Sequence, residues 1–99
     1  MKKGSTPTHH FTLPFSCEWA KEVEITYAQN GNEILKKYLQ DCTLEENTIS
    51  TTLSQQETFE FDADFPVQIQ IRVLDENDGC HVSNIFSVNC DECLSNEVL

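Results

Sequence analysis

Cys90-Asp91-Glu92-Cys93 is the tightest grouping of reactive side chains in the chain. Two thiolates at that spacing form half of a tetrahedral zinc site, and the other half is usually a second such pair. The sequence holds no second CxxC and no HxxxH. His9, His10, His81, Cys17, Cys42 and Cys80 can complete a site only if the fold gathers them. Cys90 and Cys93 are therefore candidate zinc ligands as half a site, and two ordinary thiols near the tail are the expected reading. A redox role needs the pair to follow a strand and open a helix, which this segment does not do. No cofactor is expected.

The other candidate groupings are less complete. Asp75, Asn77 and Asp78 resemble the start of a calcium loop, but that loop needs an acid or amide fifth and glycine sixth. Here Gly79 is fifth and Cys80 sixth, so a hairpin turn is expected. His9 and His10 are adjacent on a strand pattern, and adjacent strand residues face opposite sides, so they do not share an ion. A serine or cysteine nucleophile needs a base within reach, usually at a strained turn. No G-x-S-x-G elbow and no glycine-rich phosphate cradle is present, so no enzymatic activity and no small-molecule substrate is expected. Trp19, in the polar connection Cys17-Glu18-Trp19-Ala20, is read as a candidate interface residue, because tryptophan is favoured at binding hot spots. The alternative is a tryptophan capping an open end of the core.

The 99 residues fit one domain, which at this size buries roughly 60–65% of the surface of its unfolded chain. Seventeen Asp and Glu stand against six Lys and Arg, a net charge of −11. That field repels nucleic-acid phosphates and anionic membrane surfaces, and it favours a basic protein partner. Met1-Lys2-Lys3 has the positive start of a signal peptide, but Gly4-Ser5-Thr6-Pro7-Thr8-His9-His10 follows instead of an apolar stretch. The expectation is a soluble protein that folds in a cytoplasm. The five cysteines are then reduced thiols, an odd number that argues against a closed disulfide framework.

The elements that position these groups read as short strands. Residues 8–15 alternate His9, Phe11, Leu13, Phe15 against polar neighbours, with Pro14 marking an edge or an end. Residues 21–29 alternate Val23, Ile25 and Tyr27 against Glu22, Glu24 and Thr26. Asn30-Gly31 then predicts a hairpin into 33–39, because both residues tolerate positive φ. That second strand can bury either face. Residues 41–47 read as a polar turn and 48–53 as a strand. Ser54 to Glu57 has capping-box spacing and predicts one helical turn, with 58–61 extended after it. Val67, Ile69, Ile71 and Val73 mark the central strand. Residues 81–89 form a last strand with a bulge near Ser83-Asn84. About seven short antiparallel strands in one domain, residues 1–99, predict an all-β fold, an immunoglobulin-like β-sandwich, with a small β-barrel as the alternative. Residues 1–7 are expected as a flexible arm and 91–99 as an acidic tail.

Several segments carry a resemblance: Thr6-Pro7-Thr8-His9, Phe11-Thr12-Leu13-Pro14-Phe15, Ile25-Thr26-Tyr27-Ala28-Gln29-Asn30, Asp41-Cys42-Thr43, Asn47-Thr48-Ile49-Ser50, Gln68-Ile69-Gln70-Ile71-Arg72-Val73-Leu74 and Cys93-Leu94-Ser95-Asn96-Glu97-Val98-Leu99. Together these resemble a family of short, uncharacterised proteins of bacterial prophages and phages, over nearly the whole chain. The turn Asp75–Gly79, Cys80-His81 and Cys90 differ from the family's pattern. The resemblance implies a phage structural or assembly protein that contacts itself or another virion protein and enters the virion. The charge alone supports a different expectation, an acidic non-virion module engaging a basic host or phage protein.

Overall fold

A computed structural model describes the whole chain, Met1–Leu99. Eight strands fall into two antiparallel sheets that are not closed into a barrel. The two-sheet, all-β architecture expected from the sequence is present. One sheet has the order β1 (Thr8–Thr12), β5 (Thr48–Thr52), β4 (Cys42–Glu45). The other runs β3 (Asn32–Tyr38), β2 (Glu22–Gln29), β6 (Val67–Leu74), and then β7 (Cys80–Val82) and β8 (Phe86–Val88), which both pair with β6.

The β2–β3 hairpin turns at Asn30 (φ 50°) and Gly31 (φ 80°), as the Asn-Gly pair requires. Period-two alternation sends Val23, Ile25, Tyr27 and Val67, Ile69, Ile71, Val73 inward from the two central strands. Phe11, Ile49 and Leu53 meet them from the smaller sheet, and Phe61 and Leu13 close the ends of one hydrophobic cluster. Truncating a fully buried isoleucine such as Ile25 or Ile71 to alanine costs about 2–5 kcal/mol.

Three local readings change. Residues 41–47 are not simply a turn, because Cys42–Glu45 forms β4 between a 3-10 turn that ends at Asp41 and the turn at Glu46-Asn47. The strand was hidden by its length, four residues whose inward pair, Cys42 and Leu44, is only half-buried. Residues 58–61 are not extended. The Ser54 cap is made as expected, its hydroxyl accepting from Glu57 N–H, but the helix α1 runs on through Gln55–Phe59. Tertiary bonds hold that extension. Buried Thr58 donates its hydroxyl to Ser5 C=O and accepts from Gly4 N–H. Residues 81–89 carry the expected bulge, but it splits the strand into β7 and β8. Across the gap Ser83 stays bonded to β6, its N–H donating to Ile71 C=O and its hydroxyl accepting from Ile71 N–H.

Residues 1–7 make several contacts: Lys2 bridges Asp91 in parallel, Lys3 N–H donates to Asp91 C=O, and Asp91 N–H donates to Met1 C=O. Gly4 (φ 79°) lies so close to Phe59 that a Cβ would come within 2.6 Å of the ring. No helix is long and apolar enough to cross a membrane.

Candidate interaction surface

The sequence candidates fall in separate places. Cys90 is buried in the core cluster, where burial pushes its thiol up, opposed by the nearby Lys3 and amino-terminal charges. Cys93 is half-buried in the tail. No group of three or more His, Cys, Asp or Glu side chains stands where it can hold a metal ion. Cys17 is buried against the β4–β5 turn, its thiol donating to Glu46 C=O.

Trp19 is half-buried beside the core, in an aromatic cluster with two residues the sequence did not connect to it. The His81 ring centroid lies 5.1 Å from Trp19 and 5.3 Å from Phe15. His81 Nε2 is 3.0 Å from Asp75 Oδ2, and Asp75 Oδ1 accepts from the Asn77 and Gly79 N–H groups. The His81 contact, followed by the Gly79 N–H, holds the Asp75 carboxyl below its ordinary range. Chemically this Asp–His pair locks a turn. The neighbouring Cys80 projects to the opposite face of the sheet, as successive strand residues must.

The charged groups are unevenly distributed. Residues 4–17, 48–56 and 79–90 contain no Asp, Glu, Lys or Arg. The fold joins these three runs. β1 pairs with β5 over Thr8↔Thr52 to Thr12↔Thr48, and Phe11 stacks on Phe86 of β8 at 5.3 Å. The outer face of the smaller sheet is then Thr8, His10 and Thr12 beside Thr48, Ser50 and Thr52, followed by Thr43 and Glu45. Cross-strand contacts order it: Thr8 Oγ1 lies 2.7 Å from Thr52 Oγ1, and His10 Nδ1 lies 2.6 Å from Ser50 Oγ. The exposed apolar residues of the third run lie elsewhere: Val82, 54% exposed, pairs with Arg72, and Ile85, 58% exposed, lines a groove with Glu24, Lys36 and Arg72 on the outer face of the larger sheet.

The opposite flank differs. On the outer face of the larger sheet Glu24 pairs with Arg72 at 3.1 Å and with Lys36 at 3.5 Å, and Lys36 also meets Glu33. A shallow groove of about 550 Å³ beside this ladder is lined by Glu22, Glu24, Lys21 and Arg72 as well as Tyr38 and Leu74. A partner docking there must desolvate paired charges, which offsets much of the gain.

Sequence inspection alone finds the three uncharged runs; their convergence needs the strand pairing. Fold and surface together define a two-sheet β domain with an acidic body and one neutral, open-edged flank. Compared with protein-family models, curated proteins and solved structures, the chain matches none of them.

Proposed function

We propose that this chain is a non-enzymatic structural or assembly component that works through protein–protein contacts, in the phage or prophage setting its sequence resemblance implies. The supporting observation is the neutral flank: the edge of β1, unpaired in its sheet, beside a β1–β5 outer face of Thr, Ser and His that holds no Asp, Glu, Lys or Arg on a chain of net −11. Unpaired strand edges are templates for another chain unless blunted. Mass spectrometry of particles purified from cells carrying this sequence tests the setting. Stoichiometric presence of the chain supports it, and absence from the particles overturns it.

The second reading is the acidic module for a basic partner, favoured by the carboxylates gathered at Glu18, Glu45 and Glu46. Salt separates the two. Screening weakens a contact between opposite charges and strengthens one between two like-charged chains meeting through neutral surfaces.

A further inference from the structure

We propose that the free edge of β1 pairs antiparallel with β1 of a second copy about a two-fold axis at His10, making one six-stranded sheet across the dimer. This rests on the reading of the chain as a protein-contact component and names its first partner. Leu53 N–H donates to Pro7 C=O and Leu13 N–H donates to Asn47 C=O. Bonding alternates along an antiparallel strand, so the odd-numbered residues of β1 face β5, and the N–H and C=O groups of Thr8, His10 and Thr12 face outward. In the two-fold pairing Thr8 lies opposite the partner's Thr12, and His10 opposite the partner's His10. Each pair exchanges two backbone bonds, about six in all.

The remaining edges are blunted. β3 is longer, but it carries Glu33, Lys36 and Lys37, and its register shifts beside Tyr27/Ala28. Lys37 points inward from that edge to Glu57 at 2.9 Å, and an inward charge is a known guard against pairing. β4 ends on Glu45-Glu46, and β7 and β8 are three residues each. Pro14 lies beyond Thr12, the last residue of β1, and leaves its five residues unguarded.

Charge selects a second copy at this edge. Two chains of −11 repel wherever carboxylates face carboxylates, and β1 with its neighbours β5 and β8 is where they meet without any. Side chains agree with the register. Thr8, His10 and Thr12 are exposed on one face, while His9 and Phe11 lie on the inner face and continue the core layer across the junction.

Light scattering after size exclusion, over a wide range of concentration, tests the pairing on the wild type and on two variants at exposed positions. The wild type is expected to reach twice 11.3 kDa. T8E/T12E sets like charges opposite each other in both outer pairs and is expected to weaken the dimer about tenfold. T8K/T12E sets opposite charges across the same pairs and is expected to restore it, an outcome specific to this register. A wild type that stays monomeric into the millimolar range overturns the inference, as does a dimer equally strong in all three proteins. A monomeric result leaves detection of the chain in purified particles standing, so the two proposals fail separately.

Discussion

His9 Nδ1 lies 2.7 Å from the hydroxyl of Tyr27, joining the inner face of β1 to the buried centre of β2 across the sandwich. Tyr27 is fully buried, which pushes its phenol well above the ordinary range. His9 is half-buried, and burial, followed by the amino-terminal charge and His10, holds it below its ordinary value of 6.5.

A pH dependence follows from His9. The unfolded chain takes up a proton at this position more readily than the folded one, so acid favours unfolding. The contribution is complete above 6.5 and is lost as pH falls from there toward the lower folded value. Thermal melts from about pH 8 to about pH 5, where histidine changes charge, are expected to show a falling midpoint, and His9→Gln flattens the curve. Tyr27→Phe is expected to cost about 1 kcal/mol at neutral pH. A midpoint unchanged by His9→Gln over this range contradicts the assignment.

Gln29 clamps the loop before the central strand. Its side-chain amide donates to Asp62 C=O and Phe65 C=O, and its carbonyl accepts from Asp62 N–H. The residue is only 4% exposed, so Gln29→Ala is expected to cost about 2 kcal/mol in urea unfolding. Gln29→Glu is expected to be worse, because a carboxylate oxygen then faces two carbonyls. An unchanged midpoint in Gln29→Ala contradicts the clamp.

Lys37 guards the β3 edge, and its removal should reveal that. Burial raises the Glu57 carboxyl, but bonds from Lys37 and the Ser54 N–H outweigh it and leave Glu57 below its ordinary 4.5. That stabilisation is present above 4.5 and is lost as pH falls through the lower folded value. Glu57 keeps its Ser54 contacts and some solvent, so Lys37→Met is expected to change stability at neutral pH by about 1 kcal/mol or less. Association is expected to increase and to involve β3. A variant no more associated than the wild type contradicts the guarding role.

The five thiols should separate by reactivity, since the thiolate is the nucleophile. Cys80 is exposed, whereas burial raises the thiols of Cys17 and Cys90. Alkylation followed by mass mapping is expected to label Cys80 first and Cys17 and Cys90 only on unfolding. Early labelling of Cys90 contradicts its place in the core.

Alternation made most of the architecture legible. Val23-Ile25-Tyr27 and Val67-Ile69-Ile71-Val73 each mark a buried face, and Asn30-Gly31 marks its own turn. β4 escaped because four residues with a half-buried pair carry little periodicity. The length of α1 escaped because Thr58 is fixed by Gly4 and Ser5, more than fifty residues earlier. Trp19 stood out by type, but of its partners Phe15 lies four residues earlier in the same connection and His81 comes from the distant strand β7, and no spacing rule joins the three. The neutral flank was present as uncharged runs whose meaning depends on β1 pairing with β5 and on Phe11 meeting Phe86 of β8 in the other sheet.

Amide hydrogen exchange at low and high protein concentration tests the central claim, that the open edge of β1 is the contact surface. The N–H groups of His9 and Phe11 are bonded to β5 and are expected to be protected throughout. Those of Thr8, His10 and Thr12 are expected to exchange freely when dilute and to become protected together as concentration rises. Exchange at these three that stays fast at every concentration would contradict the account.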